Sequence, residues 1–345
     1  TRYPLVTGVQ TCALPISQAE QARTARPADA AALREAGARL RAGELVAFPT
    51  ETVYGLGADA TNGKSVARIF ETKGRPRFNP LIIHVADQEQ ARIVALVSPR
   101  AEALMTHFWP GPLTLVLPLR AGAAISDLAL AGHSSIALRM PSHPVARAII
   151  EASGRPIAAP SANRSGHVSP TIADHVLEDL DGRIDAVVMG EATEVGVEST
   201  ILSLLDDEAV LLRPGGVTRT DLAVILGYEP NVMDHASDED APLAPGLLKS
   251  HYAPNASLRL DAETIHEGEA ALLFGTFRPM GLEKARLSLN LSPRGDLKEA
   301  AASLFSALRQ LDHSGAATIA VTPLPDFGLG EALHDRLRRA AAPRD

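Results

Sequence analysis

Lys73, Arg75 and Arg77 stand at alternate positions in ETKGRPRFNPLIIHV. Thr50, Glu51, Thr52 and Tyr54 crowd a Pro- and Gly-bounded stretch just upstream, FPTETVYGLG. On an extended chain, residues i, i+2 and i+4 project to one side. Three cations so placed repel one another unless an anion sits among them. The interleaved Gly74 and Pro76 argue for a fixed loop rather than a helix. A Lys as a point charge and an Arg as a planar fork suit a polyphosphate. K-x-R by itself reads more simply as a solvated basic turn, and only its neighbours change that weighting.

Three neighbours matter. His84 ends the apolar run that comes after Asn79 and Pro80; a histidine there is ordinarily a satisfied structural one. Arg139 lies in SSIALRM, where it is either a surface residue at a strand end or an arginine set to hold a carboxylate or phosphate. SANRSG comes directly after a short apolar stretch, so its backbone N–H groups and small polar side chains could approach a ligand closely, although Ser/Asn/Gly turns are common.

The elements that must carry these residues alternate between strand and helix. Residues 28–42 have helix-forming composition and end at Gly43, and Leu45 to Phe48 reads as a strand. Asn62 can cap a helix through about Glu71, and Leu81 to Val85 is a buried strand. Helices are expected over 87–97 and 99–108, then strands over LTLVLPL and Ser135 to Met140, and a helix from Pro144 to Ala152. Short strands are expected at 156–160, 185–189, 198–204 and 209–213. The stretch 228–248 is acidic, Pro-rich and aperiodic. A second, smaller unit then begins, with a strand at ALLFGTF, a helix over 296–311, a strand over 318–321 and a helix over 331–341. The expected class is α/β: a mixed, twisted sheet flanked by helices, plus a smaller Rossmann-like α/β unit.

The chain has 345 residues and a net charge of -8, which argues against a general nucleic-acid binder but not against a local basic pocket. Its one cysteine, Cys12, excludes an intrachain disulfide and a cysteine-built zinc site, and a cytoplasmic location is expected. No apolar run reaches about 18 residues, so no membrane span is expected. Residues 1–17 do not fit the rest of the chain. VTGVQTCALPI is similar to a translated sequencing-adapter oligonucleotide, and the segment is read as non-native.

FPTETVYGLG, KGRPRFNPLIIHV, SSIALRMPSHP, AAPSANRSG and GVESTIL occur in that order. Together they resemble the YrdC/Sua5 family of threonylcarbamoyl-AMP synthases. APGLLKSHYAP, LSPRGDLKEAAASLFSALRQLD and PLPDFGLGEALHDRLRRAA resemble the tail of the longer Sua5 form, so the likeness runs from about residue 28 to the C-terminus. HSS at 133–135 and DAT at 59–61 read as tolerated variation. The resemblance implies a YrdC-like catalytic domain over 18–227, a linker over 228–255 and a Sua5 C-terminal domain over 256–345.

It also implies a nucleotidyltransferase. L-threonine and bicarbonate give a carbamate, which attacks the α-phosphorus of ATP and releases pyrophosphate. Magnesium is expected with ATP, held by no assigned side chain. A partner transferase would pass the threonylcarbamoyl group to adenosine 37 of tRNA, which the synthase itself would bind weakly at most. Lys73 and Arg75 are the expected catalytic cations, gripping the triphosphate. Arg75, Asn79, Ser135, Ser161, Asn163, Ser169 and Arg213 fall to ATP. Thr52 (or, in exchange, Thr50), His84, Arg139, Ala159 through its backbone, and Ser199 fall to threonine or its carbamate. His251 and Tyr252 form a lid. Glu51 and Glu198 are read as solvated turn carboxylates, because an ionised carboxylate beside an anionic substrate is unfavourable. Two other functions compete. One is a double-stranded RNA or tRNA-binding module of the same fold; the chain's acidity and its lack of aromatic–basic interleaving oppose it. The other is carbamoyl transfer as in hydrogenase maturation, which normally carries zinc fingers that this cysteine-poor chain cannot build.

Overall fold

Asp29 and Asn62 begin the first two helices by chemistry legible in the chain: each side chain accepts from backbone N–H groups of the opening turn. The computed structural model describes residues 25–233, 243–246 and 249–343. The segment read as non-native, with Cys12, and most of the acidic stretch lie outside the described residues.

The described helices are α1 Ala30–Arg41, α2 Gly63–Lys73, α3 Gln88–Val94, α4 Pro99–Phe108, α5 Asp127–Leu130, α6 Pro144–Ser153, α7 Ala173–Leu180, α8 Arg219–Leu226, α9 Leu297–His313 and α10 Leu329–Ala341. Strands β1 Ala25–Pro27, β2 Val46–Phe48, β3 Gly55–Asp59, β4 Ile82–His84, β5 Leu113–Pro118 and β6 Ser135–Arg139 come first. Next are β7 Ile157–Ala158, β8 Ala186–Met189, β9 Thr200–Ser203, β10 Val210–Arg213 and β11 Asn231–Val232. These eleven make one mixed sheet in the order β1-β8-β2-β3-β7-β4-β6-β5-β9-β10-β11. The remaining strands, β12 Ser257–Arg259, β13 Ala270–Leu273, β14 Ser288–Asn290 and β15 Thr318–Val321, make a four-stranded parallel sheet in the order β12-β15-β13-β14.

Strand alternation sorts the large sheet into a core face and a cleft face. Ile83, Leu138 and Ala158 belong to the main core, with Leu45, Leu56, Val66 and Leu115. The alternate residues Ile82 and His84 on β4, Arg139 on β6 and Ala159 just beyond β7 line a cavity instead. Register brings them together: β4 runs parallel to β6 with His84 opposite Arg139, and antiparallel to β7 with His84 opposite Ile157.

The row of three extended cations does not form. Helix α2 runs two residues beyond its expected end and closes on Gly74, which adopts φ 62 and donates its N–H to the Glu71 and Phe70 carbonyls. Lys73 is therefore helical. Lys73 and Arg75 turn inward while Arg77 stays exposed.

The four-stranded unit buries Leu272, Leu304, Phe305, Leu308, Ile319 and Leu337. The same cluster takes in Tyr252 and also Val53, Val168 and Val197 from loops beside the large sheet. Those loops belong to the TETVYG, SANRSG and GVEST motifs, so the smaller unit packs against the backs of three of them.

Candidate active site

Two buried guanidinium groups define the cleft. Arg75 donates to the Asn79 carbonyl, to Asn79 Oδ1 at 2.6 Å and to the Pro80 carbonyl. Arg213, at the end of β10, donates to the Ser199 carbonyl and hydroxyl and to the Pro245 carbonyl. Neither has a carboxylate partner among these bonds. Burial first, and then the like charge of Arg213, brings the Arg75 pKa down to about 10. Burial likewise lowers that of Arg213. Cations held dry without a counter-charge cost the fold stability, and an anionic ligand repays that cost.

Lys73 is one layer further in. Its ammonium donates to the Ser161 carbonyl at 2.6 Å and to the Asn163 carbonyl, so it fixes the backbone of the S-x-N loop. Burial, then the charge of Arg75, holds its pKa well below that of a free lysine. Asn163 donates to the carbonyls of Arg164 and His167, and its buried Oδ1 has no partner.

The expectation for the two carboxylates is overturned. Glu51 and Glu198 are buried, and each is held by an arginine distant in sequence. Arg139 Nη2 donates to Glu51 at 2.7 Å, and its Nε donates to the Gly111 carbonyl. Burial pushes the Glu51 carboxyl up, but the charge and hydrogen bond of Arg139 outweigh it, with a net fall. Glu198 accepts from the Ser169 hydroxyl at 2.5 Å and from Arg336 Nε at 2.8 Å. Arg139 thus reaches the cleft already paired, with Nη1 outside both of its bonds.

His84 sits beside Arg139 with its Nδ1 buried and unpartnered. Burial first, then the positive charge of Arg139, lowers its pKa to about 3, so the imidazole is neutral. Thr52 lines the cavity, and Thr50 stands behind it, its hydroxyl 2.9 Å from that of Thr52 and donating to the Val53 carbonyl.

The linker closes the cleft. Pro245, Gly246, His251 and Tyr252 form part of the cavity wall opposite Arg75, His84, Arg139, Ala159, Ser161, Ser199 and Arg213, leaving a cavity of about 40 Å³. Tyr252 is left-handed at φ 62, and its ring stacks on Phe305 of the smaller unit. His251 lies edge-on to Tyr252, and burial, then the charges of Arg75, Lys73 and Arg213, holds its pKa well below the ordinary value.

Of the residues expected at the site, Lys73, Asn79, Asn163 and Ser169 stand behind the wall, acting on the groups that line it. Ser135 stands apart: it opens β6 opposite Pro118, with Arg139 about 13 Å away at the other end of the strand. Sequence reasoning missed the arginines of the smaller unit that reach across. Arg336 binds Glu198. Arg309 donates to the Val168 carbonyl at 2.6 Å and to Asp179 and Glu178. A signal existed for Arg336: it falls within the stripe Leu333, Arg336, Leu337, Ala340, at helical spacing where apolar residues belong.

A mixed α/β sheet with a cationic cleft under a linker defines a class. Residues 38–215 match the Sua5, YciO and YrdC family model, described as telomere recombination. Residues 217–342 match the model for the threonylcarbamoyl-AMP synthase C-terminal domain. The chain belongs to the Sua5/YciO/YrdC family, in the form that carries this C-terminal domain. The threonylcarbamoyl-AMP synthase of Bacillus subtilis (strain 168) is 44% identical over 324 residues, covering 90% of this chain and 93% of that one. That of Pyrococcus abyssi is 42% identical over 90% of this chain and 94% of its own length. The crystal structure of P. abyssi Sua5 complexed with L-threonine aligns with a TM-score of 0.83 at 40% identity, over 92% of this chain and 96% of that one. A P. abyssi Sua5 variant with a His and the adjacent Tyr both changed to Ala aligns at 0.82 and 40% identity, over 90% and 92% of the two chains.

Proposed function

We propose that this chain is an L-threonylcarbamoyladenylate synthase, making threonylcarbamoyl-AMP and pyrophosphate from L-threonine, bicarbonate and ATP. The observation that carries the reading is the pair Arg75 and Arg213, buried in one cleft with no carboxylate hydrogen-bonded to either among the described residues, beside the neutral His84. The synthase names of relatives that match nearly the whole chain support it. The RNA-binding alternative has no comparable support.

In this reading Arg75 and Arg213 take the triphosphate. Lys73 holds the Ser161–Asn163 loop so that its backbone and side chains meet the nucleotide, and Asn79 fixes Arg75. Ser169 orients Glu198. Thr52, His84, Ser199 and the backbone of Ala159 surround the threonine carbamate, and Arg139 offers its remaining Nη1 to the amino-acid carboxylate. A carbamate oxygen bonds to the α-phosphorus as the bond from that phosphorus to the bridging oxygen breaks. Pyrophosphate departs with the electron pair, its charge balanced by the guanidinium groups.

Magnesium enters as the counter-ion of ATP. Glu51 and Glu198 are each engaged by an arginine, and among the described residues no group of three His, Cys, Asp or Glu side chains is set to hold a metal. Ser135 takes part only if ATP extends along β6.

A ligand the size of ATP needs a pocket of roughly 300 Å³ or more, so the wall formed by Pro245, Gly246, His251 and Tyr252 lifts for entry and closes for chemistry. The labour divides along the chain: 18–227 binds substrates, 228–255 covers them and 256–345 supports the cover. The product would pass in the cytoplasm to a transferase acting on tRNA; among the described residues no helix is long and apolar enough to cross a membrane. The test is pyrophosphate release by the full chain. It should require both L-threonine and bicarbonate; release indifferent to threonine would overturn the reading.

A further inference from the structure

Glu198 is an anion in a cleft suited to anions. Its carboxylate lines the same cavity as Arg75 and Arg213 and is almost wholly buried. A bare charge there would repel a triphosphate and a carbamate alike. From the catalytic half, among the described residues, the Ser169 hydroxyl is its side-chain hydrogen-bond partner, and Arg213 acts on it through charge without a direct bond. Its hydrogen-bonded counter-charge comes from α10, where Arg336 donates from Nε to Oε2 at 2.8 Å.

Arg336 is held as firmly as a ligand-binding group. It has no exposed surface. Its Nη1 donates to the Pro214 carbonyl at 3.0 Å and to Asp335, and its guanidinium carbon stands 5.2 Å from the centre of the Tyr252 ring. Burial opposes its charge, but Tyr252, Glu198 and Asp335 more than offset that and hold its pKa above the ordinary arginine value. One side chain of the smaller unit therefore touches the cleft carboxylate, the turn after Arg213 and the linker cover together.

We infer that Arg336 is a positioning residue of the active site, supplied by the C-terminal unit, whose charge cancels that of Glu198 and so keeps the cleft fit for an anionic nucleotide. Glu198 in turn holds Ser169 and makes nucleotide affinity conditional on the smaller unit being docked. With α10 in place the carboxylate is neutralised; with α10 withdrawn it confronts the phosphates. The inference rests on the reading of the cleft as the ATP site.

The test is a double-mutant cycle in the full-length chain, measuring the Kd of a non-hydrolysable ATP analogue by calorimetry and kcat and KM for ATP by pyrophosphate release. Arg336→Met should raise the Kd and KM about ten- to thirty-fold, the effect of one uncancelled charge about 8 Å away at an effective dielectric near 20, with a smaller fall in kcat. Arg336→Met combined with Glu198→Gln should bind within about threefold of Glu198→Gln alone, and Arg336→Lys should lie near wild type. A merely structural role predicts otherwise: the double variant would bind as weakly as Arg336→Met, and that result overturns the inference. If Arg336→Met fails to fold, the double variant and Arg336→Lys decide the matter by the same criteria. Because Kd needs no turnover, a chain that binds the analogue but releases no pyrophosphate refutes the proposed reaction while the cycle still decides the role of Arg336. A wild-type chain that does not bind the analogue removes both.

Discussion

Replacing Arg75 by Met separates binding from folding. The fall of its pKa from the ordinary arginine value to about 10 corresponds to about 3 kcal/mol carried by the ligand-free fold to keep a cation dry. Against that, the guanidinium satisfies the Asn79 and Pro80 carbonyls and Asn79 Oδ1. Leaving such acceptors unpaired costs about 1–3 kcal/mol. The two effects nearly cancel, so the melting temperature of the free Arg75→Met protein should lie within about 4 °C of wild type. Binding has no such compensation. A hydrogen bond between charged groups contributes about 1.5–3 kcal/mol, and a unit charge pair at 4 Å with an effective dielectric of 20 sets a ceiling of about 4 kcal/mol. The dissociation constant for a non-hydrolysable ATP analogue should therefore rise about 100-fold, up to a ceiling of about 1000-fold. Calorimetry and a thermal melt on the same preparation read both quantities. An affinity within about threefold of wild type would show that Arg75 does not hold the nucleotide. A melting temperature lowered by more than about 10 °C would mean instead that Arg75 supports the fold.

Three further outcomes come from the same geometry. His84 is neutral in the fold with a pKa near 3, below its value of about 6.5 when unfolded. Its contribution is thus fully present above about pH 6.5 and is lost as pH falls toward 3. In urea unfolding at pH 7.5 and pH 5, wild type should lose about 2 kcal/mol more than His84→Gln; equal losses would contradict a buried neutral imidazole. Lys73→Met leaves two loop carbonyls unpaired and should cost about 1–3 kcal/mol of stability. Turnover should fall at least about 100-fold with it, whereas near-wild-type turnover would deny Lys73 any part in the reaction. Gly246 adopts φ +83, and a Cβ there would stand 2.7 Å from the Tyr252 hydroxyl and 2.8 Å from Arg213 Nη1. Gly246→Ala should therefore loosen the cover and speed nucleotide association in stopped flow, and an unchanged rate would count against a closing linker.

Much of this architecture was legible in local pattern. The strand from Thr318 to Val321 falls where its apolar residues place it, and the helices capped by Asp29, Asn62 and Asp87 begin where expected, although the second runs two residues longer and the third ends three residues short. Strand β3 was not expected, because GLGAD lacks branched residues. Gly57 is there for clearance: a Cβ would meet Phe48 at 2.6 Å. The inward turn of Lys73 depended on a left-handed Gly74 ending the helix, a geometry that an alternating-cation pattern does not reveal. Glu51 and Glu198 read as solvated because charged turn residues usually are; their arginine partners lie 88 and 138 positions away, a separation that no local pattern crosses. The cleft cations were legible as types. Their sorting into Arg75 and Arg213 at the wall, with Lys73 behind it, required the fold.

The decisive measurement is a crystal structure of the full chain with a non-hydrolysable ATP analogue and L-threonine. The phosphates should lie within hydrogen-bonding distance of Arg75 and Arg213, with threonine against Thr52 and His84 under a linker displaced from its present seat. A nucleotide bound away from Arg75 and Arg213 would contradict the cleft's assignment as the ATP site.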